Sequence, residues 1–250
     1  MPRLFVRLFA VLLLTLPLPA MAQSSAPASG FTEAQRREIV EIIRRALKED
    51  PTILRDAVAA LQAEDSDHDA AAAKAAIARH HDELLATAGD PVAGNPDGTV
   101  TLVEFYDVRC PYCRKMLPVM GELVRRDPKL RIVFKDIPIL GPASLVAARA
   151  VLAAQRQGAY LKMREALMTG TPQIDADVVH AAAQRLGLDW PRLQRDMADP
   201  ALQTRLDANI KLAHAMAIDG TPAYIIGDEL LPGAVGIDDL QKMVALARKS

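Results

Sequence analysis

The chain has 250 residues, half of them apolar, and its 30 basic and 31 acidic side chains leave a formal net charge of −1. So even a balance speaks against a polyanionic partner, nucleic acid included. Two cysteines are too few for a disulfide-stapled scaffold, so burial of apolar surface must hold the fold, and the length suffices for one medium domain with an appendage.

The first signal along the chain is a targeting segment. Arg3 and Arg7 flank an apolar run that continues from Leu8 to Leu18, and Ala20-Met21-Ala22 follows as a cleavage site. The run is shorter than the roughly 20 residues a bilayer-crossing helix needs, so it predicts a secretory signal peptide cut after Ala22 rather than a membrane span. The mature chain is then expected to begin near Gln23, to be soluble and exported, and to carry a charge of −3, because residues 1–22 hold two arginines and no acids. Export places the cysteines where a disulfide forms and persists.

Residues 23–30 read as a small-residue tether, and 31–88 as an N-terminal helical segment. Thr32 is the expected N-cap, with Gln35 completing a capping box and Phe31 as a staple residue. Ile39, Val40, Ile42, Ile43, Ala46 and Leu47 make an apolar stripe at helical spacing. Asp50-Pro51 stops that helix and starts another, with Pro51 at its first position and Leu54, Val58 and Leu61 continuing an apolar face. An acidic patch, Glu64 to Asp69, precedes an alanine-rich run from Ala70 to Ala86, helical on propensity and suited to a spacer or hinge.

A second domain is expected over 89–250. Residues 90–98 are dense in turn formers, and Val100 to Tyr106 is a mostly apolar strand of the kind buried on both faces. Cys110-Pro111-Tyr112-Cys113 begins a helix in which Pro118 predicts a kink. Arg131 to Lys135 is a second strand. From about 143 to 207 the pattern is helical, broken at Gly158, Gly170-Thr171-Pro172 and Gly187. Strand character returns at Ala223 to Ile226, a Gly227-Asp228 turn leads into Glu229 to Leu231, and Ile237 to Arg248 closes as a helix.

Two cysteines separated by two residues close so small a ring that a bridge between them adds little stability. The spacing serves redox chemistry instead. A zinc half-site would need two further ligands, and there is no second cysteine pair.

The order strand, Cys-X-X-Cys at a helix start, crossover, strand, late Thr-Pro, hairpin, final helix resembles the thioredoxin fold, an α/β architecture. That resemblance makes Cys110 the nucleophile, its pKa lowered by the helix N-terminus, and Cys113 the resolving thiol. Thr221-Pro222 falls where thioredoxin-like proteins carry a cis proline facing the cysteines, which implies that the Thr221 backbone pairs with an extended substrate chain. Glu104 interrupts the apolar strand six residues before Cys110. As a buried carboxylate it suits taking and returning the proton of Cys113, and as a solvent-facing strand residue it would do nothing of the kind. Lys135, on the neighbouring strand, reads either as the partner of Glu104 or as a snorkelling surface charge.

Val103-Glu104-Phe105-Tyr106 leading to the cysteines, the helical insertion and Gly220-Thr221-Pro222 resemble the DsbA-like branch of exported thiol oxidoreductases. The extra amino-terminal helices and the Cys-Pro-Tyr-Cys centre are most similar to the suppressor-of-copper-sensitivity protein C group. This implies a periplasmic protein-disulfide isomerase without a cofactor or a bound metal. Its substrates would be unfolded or mis-disulfided exported proteins gripped around Thr221, Pro222, Pro111 and Tyr112, with a membrane thiol reductase or oxidase as redox partner. Studied members of that group use the leading segment to oligomerise, some as trimers while others are monomeric, so residues 31–62 read either as the seam of a homotrimer or as a segment docked on the catalytic domain. Tyr112 stands where DsbA has histidine, and the lack of an imidazolium beside the thiolate predicts a couple less oxidising than DsbA, with a potential between that oxidant and a thioredoxin-like reductant.

Three alternatives remain at this level. A dithiol oxidase would donate its disulfide to secreted proteins. A glutaredoxin shares the Cys-Pro-Tyr-Cys centre but fits neither the length nor the insertion. A periplasmic copper-binding or copper-tolerance protein would use the two thiolates for Cu(I). For that role His80-His81 and nine scattered methionines add little, and His180, His214 and Trp190 read as packing or surface residues.

Overall fold

Alternating apolar and β-branched residues place two strands side by side at the centre of the structure, a computed structural model that describes residues 30–85 and 89–249, without the side chains of 66 and 67. The expected signal peptide, its cleavage site and the tether up to residue 29 lie outside the described residues. The described residues fall into two compact units that divide between residues 60 and 61.

In the first unit, α1 (Glu33–Glu49) starts as expected: the Thr32 hydroxyl accepts from the Gln35 amide, and the Gln35 side chain accepts from the Thr32 amide at 2.8 Å. None of its residues is buried. The next helix, α2 (Thr52–Arg79), begins one residue later than expected. The Asp50 carboxylate accepts from the Thr52 amide at 3.0 Å, as an N-cap aspartate does, with Pro51 between the cap and Thr52. The same helix runs unbroken through the acidic patch, because like charges spread over an exposed helix cost less than breaking its hydrogen-bond ladder.

The second unit opens with the end of α2, followed by α3 (His81–Leu85). Ala76, Ile77 and Leu84 are buried in its core, which ties 61–85 to this unit by packing, whereas the sequence reading set the division at 88/89. The sheet consists of β1 (Val92–Gly94), β2 (Val100–Tyr106), β3 (Leu130–Asp136), β4 (Ala223–Ile226) and β5 (Glu229–Pro232), in the order β1-β3-β2-β4-β5. β2 and β3 are parallel, joined by α4 (Pro111–Arg126), and every other pairing is antiparallel. The short β1 was read as turn.

Between β3 and β4 lies the helical insertion: α5 (Pro142–Gln155), α6 (Tyr160–Thr169), α7 (Ala176–Arg185), α8 (Trp190–Met197) and α9 (Pro200–Ala215). α10 (Ile237–Ala247) ends the fold. Each face of the sheet has its own core. Leu102, Ile132, Phe134 and Tyr224 pack with α4, α5 and α6 on one face, while Val103, Phe105, Val133 and Ile225 pack with Ile77, Leu84 and α9 on the other. Among the described residues no helix is long and apolar enough to cross a membrane.

Candidate active site

β2 delivers the site. After Tyr106 the chain turns, the Cys110 amide donating to the Asp107 carbonyl at 3.0 Å. The buried Asp107 carboxylate fixes this turn by accepting from the Arg109 amide, the Leu140 amide and the Ser144 hydroxyl at 2.8, 3.1 and 2.9 Å. Cys110 is therefore the N-cap of α4, with Pro111 following in the first turn, where a missing amide proton costs nothing.

Both cysteines are free thiols in this structure. The Cys110 thiol donates to the Thr221 carbonyl at 3.1 Å, and the Thr221–Pro222 peptide bond is cis. Its pKa is lowered to about 5, first by a hydrogen bond from Cys113, then by Thr221 and by the amides of Cys113 and Tyr112. Cys113, one turn further in, has no exposed surface. Burial pushes its thiol far up, and the neighbouring Cys110 and Glu104 add to that. Pro111 and Tyr112 are exposed beside Cys110, Tyr112 by 61%.

Glu104 is fully buried, so it does not face solvent. Nor does it lack a partner: the Arg164 guanidinium, carried by α6, donates to its two oxygens at 3.1 and 3.0 Å. The same guanidinium lies 4.4 Å from the ring centre of Tyr106 and 4.6 Å from that of Phe134. Burial raises the pKa of Glu104, Arg164 opposes that, and Asp136 reinforces it.

Lys135 is neither the partner of Glu104 nor a snorkelling surface charge. Glu104 stands opposite Phe134 in the sheet and Lys135 opposite Phe105, so strand alternation sends the two side chains to opposite faces. Lys135 is buried and reaches the Asp90 carboxylate at 2.5 Å and the Glu83 carbonyl at 2.7 Å. Arg205 binds the other Asp90 oxygen at 2.8 Å, which fastens the entrance of the domain to β3 and α9.

Several groups at the site carry no local sequence signal. Arg164 sits 60 residues from Glu104. Tyr224 faces Glu104 across the β2–β4 ladder, and its buried hydroxyl has no hydrogen-bond partner among the described residues. Arg114 donates to the carbonyls of Val108, Leu167, Gly170 and Thr171, and Arg109 to those of Leu140 and Pro172, so the turn at 170–172 is tied to the start of α4. Among the described residues no group of three or more histidine, cysteine or acidic side chains is placed to hold a metal.

The arrangement supplies an acidic, hydrogen-bonded thiol with 4% of its surface exposed, a fully buried thiol three residues on, and a buried carboxylate whose charge acts on the second thiol. Comparison with known proteins agrees with that chemistry. Residues 101–245 match the DSBA-like thioredoxin domain family, and residues 35–67 the copper resistance protein ScsC N-terminal domain. A thioredoxin-like oxidoreductase from Silicibacter pomeroyi is 41% identical, with TM-score 0.66, over 68% of this chain and 98% of its own. ScsC of Proteus mirabilis, in a transitional conformation, is 29% identical, with TM-score 0.64, over 88% of this chain and 97% of its own. Among curated relatives, a Na(+)/H(+) antiporter NhaA 1 of Salinispora arenicola is 30% identical over 63% of this chain, which spans only 24% of that protein.

Proposed function

Because this chain belongs to the DsbA-like thioredoxin family, with a thiol-disulfide oxidoreductase fold and an ScsC-type N-terminal domain, we propose that it is an exported protein-disulfide isomerase of the periplasm. The observation that carries this reading is the opposite treatment of two thiols one helical turn apart. Cys110 is pulled down to about 5 and Cys113 is pushed up by burial.

The Cys110 thiolate attacks a substrate disulfide. One sulfur–sulfur bond forms, to Cys110, and the old one breaks, releasing a substrate thiolate. In isomerisation another substrate thiolate attacks the mixed disulfide, a rearranged substrate disulfide forms, and Cys110 leaves as thiolate with no net electron transfer. When no substrate thiol arrives, Cys113 gives its proton to Glu104 and attacks Cys110. The Cys110–Cys113 disulfide forms, the substrate leaves as thiolate, and two electrons have passed to it. Pro111, Tyr112 and the backbone around Thr221 and Pro222 are the surface that meets the substrate chain.

The N-terminal helices supply the grip for unfolded substrates by assembly. Phe31, Val40, Ile42, Ile43, Leu47, Ile53, Leu54 and Val58 are exposed, more aliphatic surface than two solvated helices normally carry. Their association into a homotrimer through 31–62 buries that stripe. A smaller set of predictions follows for partners: mis-disulfided exported proteins as substrates, and a membrane thiol reductase that returns the active site to the dithiol.

Refolding of scrambled ribonuclease tests the reading. Cys110→Ser should abolish turnover and Cys113→Ser should retain part of the isomerisation while accumulating mixed disulfide. Full turnover in Cys110→Ser refutes it. The acidity of Cys110 favours one second reading, a dithiol oxidase, since a stabilised thiolate stabilises the reduced couple. Faster oxidation of reduced substrate than rearrangement of scrambled substrate would select it. Solution mass of the chain with and without 31–62 tests the assembly, and an equal monomeric mass removes it.

A further inference from the structure

Behind Glu104 lies a second buried carboxyl that the exchange chemistry does not use. Asp136 ends β3, and two phenol oxygens close a ring with its carboxyl. The Tyr106 hydroxyl is 2.7 Å from one Asp136 oxygen, the Tyr160 hydroxyl is 2.8 Å from the other, and the two hydroxyls are 2.7 Å apart. Each of these contacts is a hydrogen-bond distance and requires a proton between its oxygens. Burial pushes both phenols well above their ordinary value, so they are neutral and bring two protons. An ionised Asp136 would use both, leaving two phenol oxygens pressed together with nothing between them. A protonated Asp136 supplies the third: carboxyl donates to one phenol, that phenol to the other, and the second phenol back to the carboxyl.

The charges nearby agree with that count. Facing Asp136 are Tyr106 and Glu104 from β2, Tyr160 and Arg164 from α6, and Arg205 and Asn209 from α9. Asn209 donates to the Asp136 backbone carbonyl at 3.1 Å, and Arg205 is engaged by Asp90. Arg164 gives its hydrogen bonds to Glu104 and none to Asp136. Arg164 is the cation hydrogen-bonded to Glu104, while Asp90 is shared by Arg205 and Lys135. Burial raises Asp136 above the usual carboxylate value, against the pull of both phenols and of the two arginines.

We propose that the ring of Tyr106, Tyr160 and Asp136 keeps a proton on Asp136 well above the pH at which an ordinary aspartate loses it, so that Arg164 has Glu104 as its sole counter-ion and Glu104 alone exchanges protons with Cys113. Asp136 is then a positioning residue. The second half of this proposal rests on the reading of Glu104 as proton partner of Cys113.

The test uses the full chain with carbon-13 at aspartate carboxyls, the Asp136 resonance being assigned by its loss in Asp136→Asn. At about pH 5, where an ordinary aspartate is roughly tenfold more ionised than neutral, that resonance should keep the chemical shift of a neutral acid. The shift of an ordinary carboxylate there overturns the proposal. In Asp136→Asn the amide donates to one phenol and accepts from the other, as the neutral acid does. The denaturant midpoint of Asp136→Asn relative to the parent should be higher at about pH 8 than at about pH 5, while a loss at both overturns the ring. Resolution of a mixed disulfide by Cys113 should keep its acid limb in Asp136→Asn, and Glu104→Gln should remove that limb. A downward move of about one unit or more in Asp136→Asn, as loss of a neighbouring negative charge produces, refutes the neutral Asp136. If Glu104→Gln leaves the limb in place while the resonance remains neutral, the role given to Glu104 falls and the ring stands.

Discussion

Replacing Arg164 by methionine keeps most of the side-chain volume and removes the charge that faces Glu104. Glu104 then has two courses. It stays ionised and unpaired in an apolar setting, which costs about 3–5 kcal/mol for a broken buried pair. Or it takes a proton, and that course caps the loss. With an unfolded-state pKa near 4.3 and about 1.36 kcal/mol per unit, the cost of protonation is about 4 kcal/mol at pH 7 and about 1 kcal/mol at pH 5. The two routes agree at neutrality and diverge in acid, which gives the experiment its signature. The sign follows from a carboxyl whose folded pKa has been raised: stability is fully present below the unfolded value and is lost as pH rises. Arg164→Met should therefore lose far more stability at pH 7 than at pH 5 in urea titrations. A further pH-independent loss of about 1 kcal/mol is expected from the guanidinium no longer lying over the Tyr106 and Phe134 rings. Adding Glu104→Gln to Arg164→Met should remove the pH-dependent part. Equal losses at both pH values, or no rescue by the double variant, would refute the pairing as the reason these two residues are buried together.

Alkylation of Cys110 by iodoacetamide should follow a single ionisation near pH 5, because that thiol is held at about 5; a midpoint above about 8, the range of a free cysteine, would contradict the site geometry. The reduced protein should gain stability over the oxidised one as pH rises from about 5 towards 8, since a group with a depressed folded pKa contributes above that value and loses the contribution as pH falls through it. Lys135→Met should destabilise, but by less than the about 3–5 kcal/mol of a fully stranded buried charge, because Arg205 still binds the other Asp90 oxygen, with Cys110 alkylation unchanged; an altered alkylation profile would mean the two faces of the sheet are coupled. Gly94→Ala should destabilise by about 1–3 kcal/mol or more, because Gly94 has φ of +74° and a Cβ there would meet the Leu130 carbonyl oxygen at 2.4 Å; calorimetry showing an unchanged midpoint would refute it.

What the sequence made legible was whatever depends on a few consecutive residues. The capping box at Thr32 and Gln35, the strand Val100–Tyr106, the helix opening at Cys110 and the glycine-marked breaks in the insertion are all local chemistry, and each lies where expected. β1 escaped because three residues ending in glycine inside a turn-rich stretch carry no alternation to read; it exists through its pairing with β3. The partner of Glu104 escaped for a related reason. Lys135 was the natural candidate on charge, but a parallel register that sets Glu104 against Phe134 puts Lys135 on the wrong face. That register is one residue away from the alternative, and no pattern within either strand selects it. Arg164 comes from a helix whose placement over the sheet is a property of the whole insertion.

The asymmetry of the two thiols then follows from position more than from the identity of neighbours. An N-cap residue with no side-chain capping bond faces the unpaired amides of the first turn, so a sulfur placed there is offered donors that favour its anion. Three residues on, the helix has turned that direction into the core, where Met116 and Met120 pack with Cys113 and a charge finds no solvent. One backbone path therefore makes one thiol acid and the other reluctant to ionise. The reluctant thiol must lose its proton before it can attack, and the proposed acceptor is Glu104, the buried carboxylate on β2 whose charge acts on that thiol. Neutralising Glu104 with Arg164 is compatible with that task only if no second anion competes for the arginine, which is why the state of Asp136, on the adjacent strand, bears on an exchange reaction it never touches.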